Sequence, residues 1–144
     1  MVGKRIPHIP IDKRDPSTVR AAILARVSDP GAKDITVESQ VDVCRAFVAA
    51  HGWREIGVYA EKKSGYLHVE RPMLAEVERL IAQRGVDVVV VLNFERLARD
   101  TERRHAALYT ARKYGVEFRI FMAIEWVVRR GNSTRVVVRI TPTD

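Results

Sequence analysis

An arginine and a serine stand two residues apart at the end of one apolar segment, in a position suited to ligand binding. The apolar run 21–25 is followed directly by Arg26, Val27 and Ser28. Because side chains alternate along a strand, Arg26 and Ser28 would project to the same side, a guanidinium beside a hydroxyl. Open parallel sheets bind ligands at the carboxyl ends of their strands. The competing interpretation is that Ser28 only helps to form the Ser-Asp-Pro-Gly turn at 28–31.

Two more arginines follow the most apolar strand-like segment of the chain, in the run Glu95-Arg96-Leu97-Ala98-Arg99. If this run turns helical, Arg96 and Arg99 share one face and Leu97 anchors the turn in the core. Two guanidinium groups would then point together, and such a pair could hold a phosphate. The competing interpretation is a solvated surface turn in which the arginines pair with Glu95 and Asp100.

The charge of the chain is positive and unevenly distributed. The 144 residues carry 25 basic and 18 acidic side chains, a net charge of +7. Residues 96–139 hold eleven arginines and lysines against four acids, while the remainder holds fourteen of each, so the whole excess lies in the last third. Such a bias suits a polyanion such as nucleic acid, although basic proteins also use arginine for solubility.

Composition excludes several classes of protein. Hydrophobic residues make up 47% and charged residues 30%, which predicts one globular domain rather than a disordered chain. Cys44 is alone and cannot form an internal disulfide, and the four histidines are scattered without a metal-ligand spacing. No apolar run approaches the roughly 20 residues of a membrane span and no secretory stretch opens the chain, so a cytoplasmic protein is expected.

The elements that must position these residues alternate between strands and helices. Residues 1–18, with three prolines, read as an extension before a domain at 19–144. A buried strand is expected over 19–27, a helix from an N-cap at Thr36 to His51-Gly52, and a second strand over 55–59.

The second half of the chain continues this alternation. A helix is expected from Pro72 to a stop at Gly85, and then a strand over 86–92 that is covered on both faces. The run at 95–99 leads into a helix ending near Tyr114-Gly115, followed by a strand over 116–122. Residues 126–140 favour a hairpin, with a short helix as the alternative. The pattern predicts a three-layer α/β domain with a mainly parallel sheet of about four to five strands flanked by helices.

Taken together, five short segments carry a family resemblance. They are Ala25-Arg26-Val27-Ser28, Glu38-Ser39-Gln40, Ser64-Gly65, Glu70-Arg71-Pro72 and Glu95-Arg96-Leu97-Ala98-Arg99. In order and spacing they resemble the N-terminal catalytic domain of the resolvase/invertase serine recombinases, over about residues 19–122.

This resemblance implies site-specific cleavage and rejoining of double-stranded DNA with no metal and no cofactor. Ser28 would be the nucleophile and would form a covalent 5′-phosphoserine link. The positions that match catalytic arginines of the family are Arg26, Arg71, Arg96 and Arg99, and those that match its supporting polar residues are Gln40 and Ser64. Glu61 or Glu95 is the candidate proton acceptor, since no histidine lies in the matching segments. The expected partners are DNA and further copies of the chain, as a dimer or tetramer, or a longer recombinase, without a membrane.

The chain also departs from the family pattern. Glutamate replaces the usual aspartate at Glu61 and Glu95, and Leu24 stands where the family tends to have tyrosine. A long pairing helix and a DNA-binding domain are not evident after residue 122. An alternative function therefore stays open, a non-catalytic or truncated module that binds DNA or a full-length recombinase and regulates it. The two hypotheses, recombinase and non-catalytic module, differ in whether Ser28→Ala changes the activity on DNA.

Overall fold

The computed structural model describes residues 9–26, 36–61, 71–98, 100–120, 123–128 and 134–139. Within these ranges it describes only the backbone of Phe94, Glu95 and the last two segments. Its strands are β1 (Arg20–Arg26), β2 (Arg54–Glu61), β3 (Val88–Val91), β4 (Glu117–Ile120), β5 (Ala123–Val128) and β6 (Thr134–Arg139). Its helices are α1 (Val37–His51), α2 (Pro72–Ala82), α3 (Phe94–Leu97) and α4 (Thr101–Lys113). None of these helices is long and apolar enough to cross a membrane.

Four strands form a wholly parallel sheet in the order β2-β1-β3-β4. The two central strands explain this arrangement, because they are buried on both faces. Every residue of β1 after Arg20 is buried, and so are all four valines of β3. Continuous apolar strands of this kind need helices on both faces, so the predicted three-layer α/β fold is confirmed.

One face of the sheet is covered by α1. Its apolar stripe, which includes Val41, Cys44 and Val48, packs on the β1 residues Ile23 and Ala25. Thr36 caps the helix as predicted, because its Oγ1 accepts a hydrogen bond from the Ser39 N–H at 3.0 Å. The helix ends at Gly52, whose left-handed φ of 73° favours glycine.

The other face is covered by α2 and α4. The buried side chains of α2 are Leu74, Val77 and Ile81. In α4 only Ala107 and Ala111 are buried, and small residues allow the helix to lie close to its neighbours. Both helices belong to the apolar cluster that contains Leu24 of β1, so this residue is a core residue.

Two helix boundaries differ from the predictions. The helix expected to stop at Gly85 ends at Ala82, and its closing bonds run from the Arg84 N–H to Ile81 and from the Gly85 N–H to Leu80. Here Arg84, at φ 56°, takes the left-handed conformation. The helix expected to begin at the turn over 95–99 is divided into α3 and α4, because Asp100 accepts from the Glu102 N–H at 3.1 Å and starts a new helix.

The described part of the expected N-terminal extension packs against the domain. Ile11 is 1% exposed and joins the core on the α1 side of the sheet. Its N–H donates to Glu117 Oε2 at 3.2 Å, and Arg14 Nη1 donates to Asp87 Oδ1 at 3.2 Å. These contacts join the segment before β1 to the amino ends of β3 and β4.

The last two described segments form the predicted hairpin. Strands β5 and β6 pair antiparallel, with Ala123 opposite Arg139 and Val128 opposite Thr134.

Candidate active site

The predicted site residues that the structure describes in full lie where β1, β2 and β3 reach their carboxyl ends. Arg26 is the last residue of β1, and its partner in the parallel register is Glu61, the last residue of β2. Strand β3 runs beside β1, and its carboxyl end leads through Leu92 and Asn93 into α3. Three distant parts of the sequence therefore meet at one edge of the sheet, as the general rule for open α/β sheets predicts.

The structure describes five of the nine predicted site residues in full. These are Arg26, Gln40, Glu61, Arg71 and Arg96. Ser28, Ser64 and Arg99 lie outside the described residues, as does the side chain of Glu95. Their predicted roles remain predictions.

Gln40 of α1 holds the backbone at the end of β1. Its side chain is fully buried. Its Oε1 accepts from the Arg26 N–H at 3.1 Å, and its Nε2 donates to the Arg26 carbonyl at 2.9 Å. A buried amide with both ends satisfied fixes the peptide groups on either side of Arg26. Ser28 follows two residues later in the chain, so Gln40 fixes the starting point of the segment that carries it.

Arg96 reaches the same point from α3. Its guanidinium Nη1 donates to the Arg26 carbonyl at 3.1 Å. Arg96 is 5% exposed and Arg26 is 2% exposed, so both are buried among the elements that meet at this edge. Leu97 is fully buried beside Arg96 and anchors the turn, as predicted.

Arg71 and Glu61 form an ion pair that also binds backbone groups. Arg71 Nε donates to Glu61 Oε2. The other carboxylate oxygen accepts from the Met73 N–H at 2.9 Å, in the first turn of α2. Arg71 Nη1 and Nη2 donate to the carbonyls of Leu97 and Arg96, at 2.9 and 3.3 Å. This pair therefore connects the end of β2, the start of α2 and the turn α3.

The described side chains at this edge carry an excess of positive charge. They are three arginines and one carboxylate, Arg26, Arg71, Arg96 and Glu61. Guanidinium groups bind phosphate through paired, charge-assisted hydrogen bonds, so the edge suits an anionic ligand of that kind. Among the described residues no cluster of histidine, cysteine, aspartate and glutamate could hold a metal ion.

Sequence reasoning missed Asn93, which precedes the turn α3. Its Oδ1 accepts a hydrogen bond from the Arg96 N–H at 3.1 Å. A signal was present, because asparagine between a buried strand and a helical turn is a preferred N-cap residue.

Leu24 stands where the family tends to have tyrosine, and the neighbouring strand β2 does not supply the missing hydroxyl. Tyr59 lies directly opposite Leu24 in the β1–β2 register. Its ring lies over Gly57, where a Cβ would stand 3.3 Å from the Tyr59 hydroxyl. The hydroxyl is therefore directed toward the amino end of β2, away from Arg26 and Glu61.

Comparisons with known proteins place this geometry in a family. The sequence profile described as "Resolvase, N terminal domain" matches residues 21–140. No curated protein sequence matches the chain. Among solved structures, the C-terminal catalytic domain of ISC1926 TnpA, an IS607-like serine recombinase, is 28% identical with a TM-score of 0.63. That match covers 71% of this chain and 69% of the other.

Two further structures share the fold at lower identity. The N-terminal catalytic domain of TP901-1 integrase has a TM-score of 0.62 at 22% identity, covering 70% of this chain and 75% of that one. A resolvase family site-specific recombinase from Streptococcus pneumoniae has a TM-score of 0.57 at 20% identity, covering 72% and 71%. With the profile match over most of its length, this chain belongs to the resolvase N-terminal domain family and is a serine recombinase catalytic domain.

Proposed function

We propose that this chain cleaves and rejoins double-stranded DNA through a covalent link at Ser28. One observation carries the proposal. The Arg96 guanidinium donates to the Arg26 carbonyl at the end of β1, and the Arg71 guanidinium donates to the Arg96 carbonyl in α3, so three separate segments are linked at this edge. Ser28 is two residues beyond Arg26. Proteins of this family bind DNA and act as oligomers, and we extend both properties to this chain and to its domain at 19–144.

The reaction transfers a phosphoryl group twice. Ser28 Oγ attacks a backbone phosphorus, the bond to the 3′ oxygen breaks, and a 5′-phosphoserine and a free 3′-hydroxyl result. The serine proton leaves as the attack proceeds, and the departing 3′ oxygen takes up a proton. The phosphodiester energy is kept in the new bond, so a 3′-hydroxyl can reverse the step and rejoin the strand.

The arginines stabilise the charge that builds up on the phosphate. Negative charge spreads over the equatorial oxygens in the transition state, and guanidinium groups held in place neutralise it without further reorganisation. We assign this role to Arg26, Arg96 and Arg99. Each such donor is expected to contribute about 3 kcal/mol to lowering the barrier. Arg71, which the resemblance gives as a fourth catalytic arginine, receives a positioning role instead, because its Nε, Nη1 and Nη2 bind Glu61 and two backbone carbonyls.

The supporting residues then have distinct tasks. Gln40 fixes the backbone that leads to Ser28, and Ser64 is proposed as a polar support. Glu61 uses both carboxylate oxygens on Arg71 and on the Met73 N–H, so we assign the Glu61–Arg71 pair to positioning α3. Of the two predicted proton acceptors, this leaves Glu95 as the candidate.

Covalent capture tests the nucleophile directly. The chain is incubated with a labelled library of randomised DNA duplexes, denatured, and separated from free DNA on a denaturing gel. Wild-type protein should retain labelled DNA and Ser28→Ala should retain none. Ser17→Ala is the matched control, since Ser17 is exposed and lies before β1, and it should behave as wild type.

Two results would overturn the proposal. Labelled DNA retained by Ser28→Ala would exclude this nucleophile. Salt-sensitive binding by wild type with no covalent product would instead favour the non-catalytic module, whose affinity for DNA should not depend on Ser28.

A further inference from the structure

Asn93 lies between strand β3 and the short helix α3, which carries Arg96. It follows Leu92, which is fully buried, and it precedes α3. Its side-chain Oδ1 accepts from the Arg96 N–H at 3.1 Å. Its carbonyl accepts from the Arg96 and Leu97 N–H groups at 3.1 and 3.4 Å. Asn93 is therefore the N-cap of α3 and binds the backbone of Arg96 itself.

A turn as short as α3 needs such a cap. The first N–H groups of any helix have no partner within it, and one isolated turn is unfavourable in water. Because α3 has only four residues, most of its backbone N–H groups have no partner within the helix. Side chains outside the turn must therefore hold it, and they do so at both ends. Asn93 binds the N–H side, and Arg71 binds the carbonyls of Arg96 and Leu97.

The position of this turn decides where the Arg96 guanidinium lies. Arg96 is 5% exposed, and its Nη1 donates to the Arg26 carbonyl at 3.1 Å. A shift of α3 would move this guanidinium relative to the end of β1. A displacement of about 1 Å in a catalytic group can cost on the order of a hundredfold in rate.

We propose that Asn93 is a positioning residue for the DNA-cleavage reaction, acting through Arg96. This inference rests on the function proposed above. Loss of the cap should lower the rate of covalent adduct formation by about tenfold while leaving DNA affinity nearly unchanged. Because Asn93 is proposed to act through Arg96, its effect should depend on whether the side chain can accept the Arg96 N–H.

Four variants of Asn93 and one control variant separate this role from general stability. Asn93→Ala removes the acceptor, and Asn93→Gln keeps the amide but moves it one methylene away, so both should slow adduct formation. Asn93→Ser and Asn93→Asp are good N-caps and should retain most of the rate. Asp15→Ala removes a comparable cap far from the site, where Asp15 accepts from the Ser17 N–H at 3.0 Å, and should leave the rate unchanged.

Two readouts are made on each full-length variant. The first is the rate of adduct formation at saturating DNA, together with the dissociation constant for the same duplex library. The second is hydrogen exchange at the Arg96 and Leu97 amides, measured by NMR without DNA. Exchange should be faster in Asn93→Ala and Asn93→Gln, close to wild type in Asn93→Ser, and unchanged in Asp15→Ala.

The outcomes distinguish the two proposals. If wild type forms no adduct, the proposed function fails, and hydrogen exchange still decides whether Asn93 holds the turn. Unchanged exchange in Asn93→Ala overturns the positioning role, and so does an unchanged adduct rate in that variant. A rate that falls equally in Asn93→Ala and Asn93→Ser also overturns it, because capping would then not be the property that matters.

Discussion

The two ends of the parallel sheet both gather arginines, and they differ in what the described arginines bind. At the amino end three arginines bind three carboxylates, Arg14, Arg20 and Arg119 with Asp12, Asp87 and Glu117. At the carboxyl end the described side chains are three arginines and one carboxylate, Arg26, Arg71, Arg96 and Glu61. At the amino end the described guanidinium groups bind side-chain carboxylates, whereas Arg71 and Arg96 at the carboxyl end also donate to backbone carbonyls.

The two ends also differ in how deeply their arginines are buried. Those at the carboxyl end are more buried, which lowers stability. The amino-end arginine side chains are 23–33% exposed, whereas Arg26 and Arg96 are 2% and 5% exposed. Burying a charged group costs several kcal/mol per ion. An arrangement that works against stability indicates selection for function. We therefore expect the amino end to stabilise the fold and the carboxyl end to carry the proposed chemistry.

Removing one arginine from each end of the sheet should have very different effects. Arg96→Ala should lower the rate of covalent adduct formation about hundredfold to thousandfold, because a charge-stabilising donor is lost. Arg20→Ala should leave that rate unchanged, because Arg20 binds Asp87 at the opposite end. Adduct formation against time measures both variants. Equal losses in the two would contradict the division of roles.

The next largest effect concerns the carboxylate at the carboxyl end. Glu61→Ala leaves Arg71 without its ion-pair partner and the Met73 N–H without its acceptor. Removing one member of a buried pair should lower the free energy of unfolding by about 3 kcal/mol. Glu55→Ala is the control, because its pair with Arg45 is exposed and should contribute less than about 1 kcal/mol. Urea denaturation measures both, and similar losses would contradict the burial argument.

A smaller effect is expected at the amino end, and it depends on pH. Burial alone would raise the pKa of Asp87, but hydrogen bonds from Arg20 and Arg14 outweigh it and lower this pKa below its ordinary value. The ionised carboxylate therefore stabilises the fold above about pH 4 and loses its contribution as pH falls through the lowered pKa. Asp87→Asn should have a lower free energy of unfolding than wild type at neutral pH, and the difference between the two free energies should shrink in acid. A difference independent of pH would contradict this assignment.

The smallest expected effect concerns the core that the two ends share. Burial raises the pKa of Cys44 to about 12, so the native thiol should not react with iodoacetamide in mildly alkaline buffer. The unfolded chain should react fully, as mass spectrometry would show. Faster labelling of Cys44 in Glu61→Ala than in Arg96→Ala would indicate that Glu61 limits opening of the core. Rapid labelling of native wild type would contradict the burial of Cys44.

The sequence predicts the sheet well because the signals there are local and strong. The valines of β3 and the apolar residues of β1 have no polar face, a pattern typical of strands buried in a parallel sheet. The Thr36 cap and the stop at Gly52 also follow from short-range chemistry. The break at Asp100 was harder to predict, because the residues on both sides of it favour a helix.

The site is less predictable, since its geometry depends on contacts between distant segments. The sequence identifies Gln40 through family resemblance but does not say that both ends of its amide bind the Arg26 backbone. The sequence also does not say that Arg71 donates hydrogen bonds to the carbonyls of α3. Ile11 was missed for a related reason, because a single apolar residue among prolines and charges has no periodicity.

Locating the covalent link within the sequence identifies the nucleophile. Trypsin cleaves after Arg26 and Lys33, so Ser28 falls in the peptide 27–33, where it is the sole hydroxyl-bearing residue. After reaction with the duplex library and nuclease digestion, tandem mass spectrometry should find a nucleotide phosphate on that peptide, absent from Ser28→Ala and strongly reduced in Arg96→Ala. A nucleotide adduct on any other peptide, with 27–33 unmodified, would contradict the account.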